Sequence, residues 1–289
     1  MHYAQAKKIL SASNGMNIYR GCSHGCIYCD SRSACYGFTH DFEDIEVKEN
    51  AIELLENELR RKRKKCMIGT GSMSDPYIPL EIRLRYTRSA MELIYAHGFG
   101  MTVLTKSCGI LRDLDLIRKI NEKTKFVVQT TLTTADERLC AILEPNVSTT
   151  KERADMLKTM KAHGIPTVVW LCPLLPFIND TEQNINAIME LCEDAGVYGI
   201  INFGMGLTLR DSNREYFYAQ LDKHFYGLKK KYIQTYGNSY EIASPRSARL
   251  YELFRSRCEQ SGIACDNAEI FAYLHEFPQR AGFEQLRLF

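Results

Sequence analysis

The chain has 289 residues, 45% hydrophobic and 25% charged, with a formal net charge of +2. That length buries a sizeable core without covalent staples. The near-neutral charge excludes a global pull toward nucleic acid, so any such surface must be a local patch. An odd count of 11 cysteines, behind an N-terminus (MHYAQAKKIL) with no signal-peptide apolar core, speaks against a disulfide framework and for thiol chemistry or metal. No apolar run approaches membrane-spanning length, so a cytoplasmic protein without a membrane partner is expected. In chain order, β-runs fall at 16–20, 66–70, 101–106, 125–132, 166–172 and 198–203, with helices predicted over 47–65, 83–97, 109–121, 151–163 and 182–195. His97-Gly98, His163-Gly164 and Ala195-Gly196 close three of those helices with C-cap chemistry. Six β-runs alternating with helices predict an α/β fold with a parallel sheet and right-handed crossovers. Two units short of a full barrel, it reads as a partial (βα)6 TIM-type barrel. Past about residue 210 the rhythm changes to tyrosine-rich helices. The expected organisation is a barrel over 1–210 and a helical C-terminal extension over 211–289.

Residues 20–37, RGCSHGCIYCDSRSACYG, place Cys22, Cys26, Cys29 and Cys35 in one loop directly after the first β-run. In a wound parallel fold that is the C-terminal mouth of the sheet, where such folds keep their chemistry. Gly21 and Gly25 let the loop curl so that its thiolates converge. A structural zinc takes four ligands, and Cys35 or His24 could supply the fourth in a zinc-stabilised, non-catalytic binding protein. Three cysteines alone can instead hold three irons of a [4Fe–4S] cluster and leave the fourth iron open. The other seven cysteines show no C-x2-C spacing, which argues against a second cluster. Cys66, Cys140, Cys172 and Cys192 lie in apolar runs and read as core.

Cys22-Ser-His-Gly-Cys26-Ile-Tyr28-Cys29 resembles the C-x3-C-x-Y-C cluster motif of radical S-adenosylmethionine (SAM) enzymes. The stretches GTGSMSDPYIPLE (69–81), VLTKSCGILRD (103–113), LTTADERLCAILEP (132–145) and GIPTVVWLCPLLPFIND (164–180) are similar to the spore photoproduct lyase-like (DNA repair photolyase-like) group of that superfamily. The resemblance runs from residue 14 to about 180. It implies a radical SAM barrel with a [4Fe–4S] cluster on Cys22, Cys26 and Cys29. It also implies reductive cleavage of SAM to a 5′-deoxyadenosyl radical that abstracts hydrogen from a substrate. By the same resemblance, Tyr28 lies beside the adenine, Ser74 receives the SAM amino group, Lys106 meets its carboxylate, and Thr131 contacts the methionyl or ribose part. A reductant such as flavodoxin or ferredoxin is the implied partner. The implied substrate is a nucleic-acid lesion or modified base, with a small molecule or peptide as the competing class. Two positions depart from spore photoproduct lyase: Ser72 stands where that enzyme has a hydrogen-returning cysteine, and Asp30 where it has a tyrosine. A serine O–H bond is too strong to give its hydrogen readily to a carbon radical, which puts thymine-dimer reversal by the same route in doubt. Cys35 is a candidate substitute donor, an auxiliary ligand or a buried thiol.

Arg60 to Lys65 is an unbroken basic run, but it closes a helix whose early turns are acidic, which matches the helix dipole. The segment 214–240 interleaves tyrosines and phenylalanines with Arg214, Lys223, His224 and Lys229 to Lys231. It suits single-stranded or flipped bases; its spacing at 217, 221, 225 and 228 equally suits a helix packing on the barrel. Finally, Gln285-Leu286-Arg287-Leu288-Phe289 resembles the Q-L-x-L-F peptide that docks on the bacterial replication sliding clamp. In that resemblance Leu288 and Phe289 fill an apolar pocket, with Gln285 at its rim and Leu286 as a further anchor. The competing reading is a tail folded onto its own domain.

Overall fold

The computed structural model describes residues 1–278. Six parallel strands, β1 (Gly15–Met16), β2 (Met67–Thr70), β3 (Gly100–Leu104), β4 (Phe126–Thr131), β5 (Thr167–Trp170) and β6 (Gly199–Ile201), are hydrogen-bonded in chain order. Helices α1 (Ala51–Arg61), α2 (Tyr86–Ala96), α3 (Leu114–Lys123), α4 (Thr150–Ala162) and α5 (Glu182–Ala195) connect them. This is the α/β partial barrel read from the alternation. All six residues of β4 are buried, as a central parallel strand covered on both faces must be. Helix starts follow their caps: Thr149 and Glu152 form a reciprocal capping box on α4, and Thr181 caps α5.

The structure departs from the expected boundaries at three places. Of the first β-run, only Gly15–Met16 joins the barrel. Tyr19–Arg20 pairs antiparallel with Glu46–Lys48, which in turn pairs parallel with His2–Ala4. This side sheet forms because Tyr19 and Val47, opposite one another, both bury their side chains. The helix expected from 109 begins as a 3-10 turn over Cys108–Asp113 before becoming α3. A further short helix, Glu137–Leu143, starts at the Asp136 cap.

Beyond β6, strand β7 (Gly206–Thr208) pairs antiparallel with β8 (Glu241–Ala243). Between them run α6 (Asn213–His224) and α7 (Leu228–Tyr236). Helix α8 (Ser247–Ser261) packs on α5, and α9 (Asn267–His275) on β6. Phe217, Leu221 and Tyr232 are buried in one apolar cluster with Cys26, Ile27 and Tyr28. The apolar side of 214–240 therefore backs the cysteine loop, while Tyr226 faces solvent. The Arg60–Lys65 run precedes β2, so it lies at the strand ends opposite the cysteine loop; Arg60 pairs with Glu56 and Lys62 reaches Asn14. Among the described residues, no helix is long and apolar enough to cross a membrane.

Candidate active site

Two glycines shape the mouth of the barrel. Gly71, at φ +103° directly after β2, would drive a Cβ to 1.9 Å from the Leu104 carbonyl oxygen; Gly21, at φ +87°, would drive one to 2.5 Å from that of Phe42. Only glycine allows these close approaches. They turn residues 72–75 and the cysteine loop toward one another around a cavity of about 870 Å³ at the C-terminal ends of the strands.

Cys22, Cys26 and Cys29 line this cavity, and so do Tyr28, Ser74, Lys106 and Thr131, which come from the cysteine loop and three different strand ends. Asp75 fastens those ends together. Its carboxylate accepts from Thr105 Oγ1 at 2.7 Å, the Lys106 backbone N–H at 2.7 Å and the Tyr77 N–H at 2.8 Å, and His24 Nδ1 lies 3.4 Å away. Ser74 Oγ donates to the Gly21 carbonyl, which leaves its oxygen lone pairs available to an incoming ammonium. Lys106 is half-buried, and among the described residues its ammonium has no ion-pair partner; its Nζ stands 5.9 Å from the Tyr28 ring centroid. Burial opposes its charge, but Cys26 and Glu144 outweigh that and hold its pKa above the ordinary lysine range. A cation so placed is a site for a carboxylate.

Beneath the cavity lies a network that pattern-reading did not find. The Tyr28 phenol donates to Glu144, Glu144 pairs with Arg153, and Arg153 Nη1 donates to the Thr131 carbonyl at 2.6 Å. Glu144 and Arg153 are both buried. Burial alone would raise Glu144; Arg153 and Lys106 reverse this and hold it below the usual carboxylate range.

Cys35 is not part of this cavity: it is exposed, with Sγ 3.5 Å from Arg210 Nη1. The thiol that does line it, beyond the three in the motif, is Cys172, just past β5; burial pushes it up to about 12. Reading Cys172 as core overlooked that a strand's last residues point into the mouth. Trp170 and Phe203 line the same cavity, with ring centroids 5.7 Å apart. Residues 285–289 lie outside the described residues.

The donor set fits an iron–sulfur cluster better than zinc. Among the described residues, the one group of three or more potential ligand side chains whose ligand atoms all lie within 4.8 Å is His2, His40 and Asp44, so the three loop sulfurs stand further apart. Tetrahedral zinc with bonds of about 2.3 Å needs sulfurs about 3.8 Å apart. With Cys35 turned away, the four-cysteine zinc site is overturned. Burial pushes the Cys22 thiol up to about 11 and Cys26 well above its ordinary value, a cost that binding to a cationic cluster offsets.

Comparison with known proteins places this geometry. The family model described as the radical SAM superfamily matches residues 16–192. An uncharacterised protein of Methanocaldococcus jannaschii is 30% identical over 249 residues, covering 83% of each chain. An uncharacterised Mycobacterium tuberculosis protein is 29% identical, covering 76% of this chain, which spans 66% of that relative's length. A protein of Pseudomonas phage M6 named radical SAM Nalpha-GlyT isomerase is 24% identical over 58% of this chain and 34% of its own. Among solved structures, spore photoproduct lyase complexed with dinucleoside spore photoproduct superposes with a TM-score of 0.66 at 13% identity, covering 91% of this chain and 80% of that one. With the cluster motif at the mouth of a partial barrel and a family match over more than half its length, the chain belongs to the radical SAM superfamily, as an enzyme that takes a [4Fe–4S] cluster and S-adenosylmethionine.

Proposed function

We propose that this radical SAM enzyme acts on a nucleobase within nucleic acid, with Cys22, Cys26 and Cys29 as cluster ligands and Tyr28, Ser74, Lys106 and Thr131 as SAM contacts. When bound, the cluster and SAM supply a carbon-centred radical able to abstract hydrogen. The chain's own part is to hold the cofactor and position the substrate. Lys106 meets the SAM carboxylate, the Ser74 oxygen accepts from its amino group, the Tyr28 ring lies beside the adenine, and Thr131 touches the methionyl or ribose part. Cys172, rather than Cys35, is the thiol in place to give a hydrogen atom to a substrate radical. A reductant such as flavodoxin or ferredoxin supplies the electron. The setting is cytoplasmic and DNA repair-like, with a lyase or related reaction. Ser72 argues against reversal of a spore-type thymine dimer by the established route.

The observation that carries the substrate reading is Phe203. It is 62% exposed at the cavity that holds the cysteines, and is backed by Phe271 at 6.1 Å with an interplanar angle of 27°. A large aromatic held rigidly at a cavity and left open is a stacking platform, and an extruded base presents a matching face. A cavity near 870 Å³ stands toward the upper end of the range for small-molecule sites, with room for cofactor and base together. The names of two similar proteins, an Nalpha-GlyT isomerase and a lyase holding a dinucleoside photoproduct, agree with a nucleobase substrate.

The test is 5′-deoxyadenosine production by the reconstituted, reduced enzyme, offered single-stranded DNA with damaged or hypermodified bases beside peptides and small metabolites. Stimulation by a modified-base oligonucleotide, lost in Phe203→Ala, supports the reading. Stimulation by peptides or metabolites alone would sink it.

A further inference from the structure

We propose a second metal site, remote from the cysteine loop, in which His2, His40 and Asp44 hold a zinc-type divalent cation with Glu46 in reach as a further ligand. The three side chains offer ligand atoms that all lie within 4.8 Å of one another. Tetrahedral zinc with bonds of about 2.0–2.1 Å needs ligand atoms about 3.3 Å apart, a closure within reach of side-chain rotation. The residues converge through the side sheet: His2 sits opposite Glu46 in the strand register, and residues 38–44 fold back over that end.

Hydrogen bonding decides which atoms are free. The Asp41 carbonyl can only accept, so at 2.9 Å it takes the proton of His40 Nδ1. His40 Nε2 is then a bare lone pair. It is buried and has no hydrogen-bond partner, and the nearest charged group is another acceptor, Glu46 Oε2, at 3.9 Å. His2 repeats the arrangement. Its Nδ1 lies 2.9 Å from Asp44 Oδ2, and its Nε2 lies 4.0 Å from the same Glu46 oxygen. Each imidazole thus has one nitrogen fixed by an oxygen acceptor while the other faces a carboxylate, the arrangement by which outer partners orient metal-bound histidines. Lone pairs converging on carboxylates repel one another unless a cation stands among them. A buried nitrogen left unsatisfied is the signature of a missing partner of that kind. The Met1 ammonium is 2.7 Å from Asp44 Oδ1, which leaves the histidine nitrogens unserved.

The site's consequence is mechanical. The Phe42 carbonyl, between His40 and Asp44, accepts from the Cys22 N–H at 3.0 Å and lies under Gly21. A cation here fastens the N-terminal strand to the loop on which the first cluster cysteine rests.

The experiment uses the full chain with its iron–sulfur cluster reconstituted. It is dialysed against micromolar Zn2+, and zinc and iron are counted per chain by elemental analysis. The expected result is one zinc beside an undiminished iron content. His40→Gln and the isosteric Asp44→Asn should each weaken zinc about 100-fold, since losing even an outer partner typically costs roughly 10–100-fold. Both variants should keep their iron and near-ultraviolet circular dichroism. No zinc above background in the parent, zinc held equally by both variants, or zinc that follows Cys22→Ala instead, would each overturn the site.

Discussion

Glu144 and Arg153 meet at 2.5 Å with neither side chain exposed, and the same carboxylate receives the phenol of Tyr28. The pair therefore joins the cysteine loop to the end of β4, where Arg153 holds the Thr131 carbonyl. Removing one partner leaves the other charge buried and uncompensated, which typically costs about 3–5 kcal/mol. Arg153→Met should lose that much stability in denaturant titration. Tyr28→Phe keeps the ion pair and should lose far less, yet weaken SAM binding, because the ring is no longer anchored. If Tyr28→Phe bound SAM as the parent does, the positioning role would be wrong.

The same pair gives acid sensitivity of a definite sign. Glu144 has a folded pKa below its unfolded value, because Arg153 and Lys106 more than offset burial. Its contribution is fully present above the unfolded carboxylate value of about 4.3 and is lost as pH falls through the lower folded value. Glu144→Gln should be less stable than the parent at neutral pH and converge toward it in acid. Parallel stability curves for the two proteins from pH 7 to pH 3 would contradict this.

Lys106 carries a different load. It is half-buried without an ion-pair partner among the described residues, so neutralising it breaks no pair. Lys106→Met should leave folding and iron content near the parent's. A lost charged hydrogen bond is worth about 1.5–3 kcal/mol, so SAM binding should weaken roughly 10- to 150-fold. Equilibrium binding to the reconstituted protein reads this directly.

What could be read from the chain, and what could not, follows from the range of the interactions. Runs such as 125–132 and 166–172 announce their strands locally, and the capped helices between them force the parallel winding. The cluster loop is legible because Cys22, Cys26 and Cys29 are neighbours in sequence. The side sheet was missed because Tyr19–Arg20, Glu46–Lys48 and His2–Ala4 are two- and three-residue strands whose pairing is set by tertiary contact. Glu144 and Arg153 looked like ordinary surface residues. Nothing nine positions apart tells that a short helix and α4 will bring them together underneath Tyr28. Cys172 was within reach: placing it just beyond the C-terminal end of β5 was enough to put it at the mouth.

The two thiols near the site separate cleanly. Cys172 lines the cavity with its proton held by burial, whereas Cys35 is exposed beside Arg210. With a turnover-competent substrate in D2O, the parent should incorporate solvent deuterium into product through the exchangeable Cys172 thiol. Cys172→Ala should lose that label and accumulate uncoupled 5′-deoxyadenosine. Cys35→Ala should behave as the parent. The reverse pattern in the two variants would return the donor role to Cys35.

The segment Gln285-Leu286-Arg287-Leu288-Phe289 yields a prediction independent of the cavity. Gln285, Leu286 and Phe289 match the anchors of the sliding-clamp peptide and Leu288 adds apolar area, while Arg287 occupies its tolerant position. A short linear peptide loses conformational entropy on docking, so the affinity for a bacterial clamp should be weak, on the order of micromolar. Weak docking still matters, because a clamp threaded on DNA raises the local concentration of its partner at that DNA. The attraction would be carried by shape and apolar contact, so it should persist at salt concentrations that abolish direct binding of a chain with net charge +2 to DNA. The measurement is clamp binding by the full chain and by a chain lacking residues 285–289, at low and high salt. Binding by the full chain alone, at both salt levels, is the expected outcome. Equal binding by the two chains, or none by either, discards the idea.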